Sequence, residues 1–297
     1  MDSDLENDYH HIHSGGARYY EQKRGLIAVW GKESVQFLDG LISNDMKTLA
    51  DGAQMLAAFP NAQGRLLAVV RVLRQGDRFL FETEEQTREK VFNNLFRFTF
   101  AGDFFVEDLS EQYRYFELFL SEPPESAGGV NFGDNVCFIE IDKASDFTSQ
   151  LVASGAVEVS DDLHEILRIE SGIPKYGIDM DETTIVPELA LDGLITYNKG
   201  CYIGQEIIAR IHFRGHVAKR LTGLMSEPET VATGFLAGHE LTTPDGKNAG
   251  RITSVTFSPK HGRTIALAYV RYDHLTQGTR LIAGGDELTV TDLPFVQ

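Results

Sequence analysis

Cysteine is scarce in this chain: two residues in 297, Cys137 and Cys201. So few thiols exclude a disulfide-stapled scaffold. With no signal-peptide pattern in "MDSDLENDYHHIHSGG", they point to a reducing compartment. That acidic opening also lacks the arginines of a transit peptide. No apolar run approaches the roughly 18 residues of a membrane span, so a soluble cytoplasmic protein is expected. Cations are few as well, with 27 Lys and Arg against 44 Asp and Glu, a net charge of -17. Such a chain is poorly suited to duplex binding, which depends on basic side chains displacing counterions, and no direct nucleic-acid contact is expected. Walker loop, G-x-G-x-x-G after a strand, G-x-S-x-G and paired C-x-x-C are all missing, which removes the common nucleotide, hydrolase and zinc-ribbon readings.

What is present suffices for a large core: 42% of residues are hydrophobic, enough for two or three domains without staples. "GLIAVWG", "AQMLAAFP", "RLLAVVRVL" and "RFLFETE" read as strands, the later ones joined by "NAQG" and "RQGD" turns. Helical spacing marks "KESVQFLDGLI" and "EEQTREKVFNNLFRF", with Val91, Leu95 and Phe98 on one side of the second. Strands "DFFVEDL", "YRYFELFL" and "VCFIEID" and helices "DFTSQLVAS" and "DDLHEILRIESG" follow, the last stopped by Gly172 and Pro174. Antiparallel hairpins mixed with helices predict an α+β fold. From residue 219 the pattern changes to short alternating strands, which predicts a compact antiparallel β-barrel or sandwich. The Pro, Gly and Ser of "SEPPESAGGVNFGDN" (121–135) predict an exposed connection between subdomains.

Chemistry concentrates in "NKGCYIGQEIIARIHFRG" (198–215). From Lys199 to Arg220 the only acid is Glu206, a basic island in an acidic chain that suits a small anion or, equally, a helix whose C-terminal cations complement its dipole. Gly200 and Gly204 flank Cys201, and the apolar spacing after Gly204 predicts a helix start. A helix N-terminus and an adjacent Lys199 both favour thiolate, so Cys201 reads as a candidate reactive thiol or, equally, as a small residue in a packed turn. Cys137 lies within an apolar strand and reads as core. His10, His11 and His13 sit in a polar stretch that predicts a solvated, mobile N-terminus. The i, i+4 pair His212 and His216 is interrupted by Gly215, and no metal ligand set is expected.

"KGCYIGQE" resembles the signature of the YgfZ-type folate-binding proteins, a branch of the aminomethyltransferase superfamily that includes the T-protein of glycine cleavage. "FLDGLISNDMKTL", "PNAQGRLL", "LRIESGIPKYGIDM" and "VPEL" are similar to other segments of that family, so the resemblance covers most of residues 25–220. It implies a ring of three subdomains around a central channel that holds tetrahydrofolate, with a C-terminal antiparallel β-barrel. The division it implies is an N-terminal tail (1–24), a folate-binding region of two α+β subdomains (25–218, connected near 121–135) and the barrel (219–297). Glu170 would contact the pterin with Arg168 beside it, since a carboxylate accepts paired hydrogen bonds from an amine and a ring N–H. Cys201 would be the reactive thiol on the channel wall, tuned by Lys199. Lys199 and Arg210 would tune that thiol or meet the anionic glutamate tail of the folate. Gly200 and Gly204 would shape the loop, and Gln205 would complete the cofactor-binding set.

One departure separates the chain from the transferases of the superfamily. Their aminomethyl chemistry relies on a carboxylate after a Gly-Gly pair; here the matching stretch is "QGRLLAVV", with Ala68 and Val69 where acids are expected. A carboxylate is the natural partner of a cationic iminium and of its protons. The resemblance therefore implies an accessory protein, a monomer that binds reduced folate and supports iron-sulfur proteins transiently, including those for tRNA thiolation, without contacting membranes. A one-carbon transferase with a different base, or a cysteine-dependent enzyme pairing Cys201 with His212 or Glu206, remain the alternatives.

Overall fold

The computed structural model describes residues 3–119, 129–133, 135–227 and 234–296. They fall into two compact units, Met1–Ser160 with Asp192–Glu206, and Asp161–Leu191 with Ile207–Gln297.

The first unit contains α1 (Ser3–His13), β1 (Arg18–Gln22), β2 (Arg24–Trp30), α2 (Ser34–Leu41), β3 (Gln54–Pro60), β4 (Leu66–Gln75), β5 (Arg78–Glu84) and α3 (Glu85–Phe96). It continues with β6 (Phe105–Asp108), β7 (Tyr113–Phe119), β8 (Val130–Asn131), β9 (Val136–Glu140), α4 (Ile141–Ala153) and β10 (Val157–Glu158). Two five-stranded sheets result, ordered β3-β4-β5-β2-β6 and β10-β1-β7-β9-β8. The period of two along each strand sorts side chains into layers. Ile27 and Val29 of β2 face α2 and α3, whereas Leu26 and Ala28 meet Tyr115, Phe132 and Phe138 of the second sheet. On the far side, Cys137 and Ile139 of β9 pack with Phe147 and Leu151 of α4. Cys137 is thus a core residue, and burial pushes its thiol up to about 12.

Two expectations for this unit need correction. The N-terminal 24 residues include a helix and a strand. Tyr9 is buried on α1, and β1 lies inside the second sheet between β7 and the parallel β10. Most of the expected connection at 121–135 lies outside the described residues. Its end is ordered, with β8 paired to β9 and Phe132 buried.

The second unit holds α5 (Asp161–Glu170), most of α6 (Gln205–Arg214), and β11 (Lys219–Ser226), β12 (Glu240–Thr242), β13 (Asn248–Ser258), β14 (Arg263–Arg271), β15 (Arg280–Ala283) and β16 (Asp286–Thr291). The six strands close an antiparallel barrel, β11-β14-β13-β12-β15-β16. Small and branched side chains such as Ala266, Ala268, Val270, Leu281 and Leu288 fill it. Outside the barrel, Ile169 of α5 packs on Leu221, Ile265 and Leu267. Among the described residues no helix is long and apolar enough to cross a membrane.

Between the two sheets of the first unit lies a buried charge cluster. Arg24 Nε donates to Glu82 Oε1 at 2.6 Å and Arg71 Nε to Oε2 at 2.7 Å, while Arg71 Nη2 donates to the Tyr115 hydroxyl at 2.9 Å. Burial pulls the Glu82 carboxyl upward, but the two guanidinium charges outweigh it and hold it below the usual range. Glu82→Gln leaves both arginines without their counter-charge and is expected to cost about 3 kcal/mol, measurable by urea unfolding. Because the folded carboxyl ionises below its unfolded value, the deficit should be full above about pH 5 and close as pH falls through the lowered pKa.

Candidate functional site

The cysteine loop belongs to the first unit and is built around Lys199. The side chain of Lys199 is fully buried, and its Nζ donates to the carbonyls of Asp39 (2.8 Å), Ile42 (2.9 Å) and Asn44 (2.5 Å). Those oxygens lie at the C-terminal end of α2 and just beyond it, where helical carbonyls lack partners and a cation complements the dipole. The Asp39 carboxylate is 3.2 Å from the same nitrogen and 3.0 Å from Lys47. Burial pushes the Lys199 ammonium below the usual lysine range, and Asp39 offsets only part of that. Burial pulls the Asp39 carboxyl upward, but the Lys47 hydrogen bond and the Lys199 charge keep it low. The expected partnership of Lys199 with the thiol is therefore corrected: its three protons are committed to backbone, which leaves none for a folate tail either.

Cys201 itself is exposed, four residues ahead of the first residue of α6. Gln205 holds the loop closed, its Nε2 donating to the carbonyls of Lys199 (3.5 Å) and Gly200 (3.3 Å), so its observed role is within the loop. The two glycines differ. Gly204 has φ +81°, and a Cβ there would stand 2.4 Å from the Asn61 carbonyl oxygen, so only glycine lets the loop close on the "NAQG" turn. At Gly200 a Cβ would meet nothing nearer than 3.8 Å. The preceding segment is stitched to the α2–β3 connection, with Ser43 Oγ donating to Leu194 O and Thr196 N to Ser43 O.

Arg168 and Glu170 belong to the second unit, at the end of α5. Arg168 spends all five donors inside that unit: on both oxygens of Glu165, on Ile173 O, on Asp179 Oδ2 at 2.7 Å and on Ser254 Oγ at 2.9 Å. Burial works against its charge, but Glu165 and Asp179 together raise its pKa. With all five donors engaged, Arg168 holds the end of α5 to its surroundings and has no N–H to spare. Asp179, which sequence reasoning passed over inside "YGIDM", is the hub. It also accepts from Lys175 N, Thr253 Oγ1 and Ser254 Oγ. Glu170 is 1% exposed, far from the solvated helix-end acid its position in the sequence allows. Ser258 Oγ donates to its Oε1, and its backbone carbonyl accepts from Phe295 N and Val296 N.

The remaining candidates separate. Ala68 is buried in the apolar core under α2 and α3, where an ionised acid would be costly, and Val69 points to the opposite face of β4. Arg210 is exposed, with no ion pair or hydrogen bond of its side chain among the described residues. His216 lies beyond the end of α6 and stacks on Tyr272 at 3.6 Å, so it does not share a helix face with His212. His13 stacks on Tyr9 at 4.2 Å, which ties down the end of α1.

Comparisons with known proteins agree with this architecture. Residues 219–297 match the family model of the glycine cleavage T-protein C-terminal barrel domain. The chain is 29% identical over 221 residues to the iron-sulfur cluster assembly factor IBA57 homolog, mitochondrial, of Mycosarcoma maydis, covering 68% of this chain and 55% of that protein. The match thus spans about half the length of that relative. An aminomethyltransferase of Rubrobacter xylanophilus is 26% identical over 278 residues, covering 83% of this chain and 73% of the relative. The crystal structure of the glycine cleavage system aminomethyltransferase T from Bartonella henselae aligns with a TM-score of 0.86 over 97% of this chain and 89% of that one, at 21% identity. The fold is therefore that of the T-protein, and the similarities support the aminomethyltransferase superfamily.

Removing the buried cation tests the loop's construction. Lys199→Met leaves carbonyl oxygens without a donor and a carboxylate with half its counter-charge, and should cost about 3–5 kcal/mol in urea unfolding. Under native conditions, alkylation of Cys201 by iodoacetamide should proceed at the wild-type rate. A slower rate with unchanged stability would return Lys199 to the thiol.

Proposed function

We propose that the protein is a tetrahydrofolate-binding accessory factor, acting in the cytoplasm as a monomer, that supports assembly or repair of iron-sulfur enzymes, among them those for tRNA thiolation. The observation that carries this reading is a pairing: in a T-protein fold, a buried carboxylate, Glu170, stands at the end of α5, while the β4 positions expected to bear the transferase acid are Ala68 and Val69. Likeness to a protein whose name is an iron-sulfur cluster assembly factor supports the second half of the proposal.

The residues suit a reduced pterin. Glu170 offers a carboxylate oriented by Ser258 in a setting that excludes water, where charged hydrogen bonds are strong. Arg168 and Asp179 act through position, fixing α5 against β13 so that Glu170 keeps its place. Bound tetrahydrofolate would supply a one-carbon carrier. Cys201 would act from an exposed loop on a partner protein, since one thiol falls short of the four ligands a cluster normally needs.

Purified protein given tetrahydrofolate and an aminomethyl-loaded carrier should release no ammonia above the uncatalysed rate. In cells lacking the protein, iron-sulfur enzyme activity should fall, and be restored by wild type but not by Cys201→Ser. Folate-dependent ammonia release, with full restoration by the serine variant, would instead favour a one-carbon transferase.

A further inference from the structure

The second unit also carries a cavity of about 610 Å³ on the outer face of the barrel, bordered by residues 177–181, 183 and 184. Its size is that of a small-molecule site. Cross-strand pairing lays out its floor. Glu240 on β12 lies opposite Arg251 on β13, which lies opposite Tyr269 on β14; Lys219 on β11 lies opposite Arg271 on β14. The Lys219 ammonium stands 4.5 Å from the centre of the Tyr269 ring.

The acids that line this cavity are already engaged. Asp179 is the hub described above. Asp181 accepts from Thr183 N at 2.7 Å and Thr183 Oγ1 at 2.6 Å. Glu240 accepts from Asn248 Nδ2 at 2.7 Å, and Asn248 Oδ1 in turn accepts from Arg271 Nε at 2.9 Å. The cations are not matched in the same way. Among the described residues, no ion pair or side-chain hydrogen bond engages Arg251. Lys219 has only the aromatic ring and the more distant charge of Asp181.

The Tyr269 hydroxyl adds an independent sign. The residue is 7% exposed, and its hydroxyl is buried without a hydrogen-bond partner of normal geometry. Burial raises its pKa and the nearby Thr184 opposes that, although the two do not meet in hydrogen-bond geometry. A buried donor without an acceptor is rare and costly, and here it borders a cavity lined by unmatched cations.

We propose that this cavity binds a small oxyanion, carboxylate or phosphate, with one oxygen accepting from the Tyr269 hydroxyl and its charge met by Arg251 and Lys219. Asp179 borders both this cavity and the Glu170 region, but Tyr269, Arg251 and Lys219 make none of the hydrogen bonds that hold Arg168, Asp179 or Glu170, and the site stands whether or not folate binds there.

Calorimetric and thermal-shift titrations of the full chain with pyrophosphate and, separately, with tricarballylate, at ionic strength fixed with sodium chloride, test the proposal. One of the two probes should bind saturably, and which one does so separates phosphate from carboxylate. Arg251→Gln and Lys219→Gln should each weaken that probe about tenfold or more. Tyr269→Phe should weaken it as well, yet leave the melting temperature of the ligand-free protein unchanged or higher, because the hydroxyl removed had no partner. The proposal is overturned if neither probe binds beyond the chloride control, if affinity ignores all three substitutions, or if Tyr269→Phe destabilises the ligand-free protein.

Discussion

The Lys199 ammonium sits where backbone carbonyls from the end of α2 and the Asp39 carboxylate converge, and the course of the whole 198–205 loop follows from that point. An ammonium out of water is expensive unless every proton finds an oxygen, so the loop cannot slide without exposing either the cation or its acceptors. Gln205 and Gly204 then close the loop from its other end, one by hydrogen bonds and the other by close approach to the 61–64 turn. Cys201 is left on the exposed part between these anchors. The lysine positions the loop that carries the thiol, through the bonds its ammonium makes to backbone and its pairing with Asp39.

The same logic recurs in both units. Glu82 is buried between two arginines, and Asp179 among an arginine, two hydroxyls and a backbone N–H. Among the described residues, these two buried acids each have several partners to offset the loss of water. Such networks give modest net stability but penalise any rearrangement that breaks one member, which suits a scaffold that must hold a loop and a helix end in fixed positions.

Much of this was legible in the sequence. Periodicity marks every helix from α2 to α6 and most strands, because nearly all of them bury an apolar stripe that the spacing of their residues announces; α6 buries Ile208 alone. The barrel strands β13 to β16 were readable for the same reason. Helix α1 was not, since "SDLENDYHHIH" buries only Tyr9 fully among the residues whose side chains are described. Strand β1 was hidden by its polar tail, "EQ", with only Arg18 and Tyr19 buried. Site roles were harder. Lys199 stands next but one to Cys201 along the chain, yet its partners lie about 155 to 160 positions away, a relation no local pattern encodes. Arg168 looked like a ligand because the motif placed it beside Glu170; its engagement with Asp179 and Ser254 depends on tertiary contact.

A proposed folate site in a fold without the transferase acid depends above all on Glu170. Isothermal titration of tetrahydrofolate into wild type and Glu170→Gln, with urea unfolding of both as the control for folding, is the decisive measurement. Saturable binding to wild type is expected, with a loss of about 1.5–3 kcal/mol of binding free energy in the variant while it remains folded. Absence of saturable binding to wild type would contradict the folate reading, and equal affinity in a folded variant would reduce Glu170 to a buried structural acid.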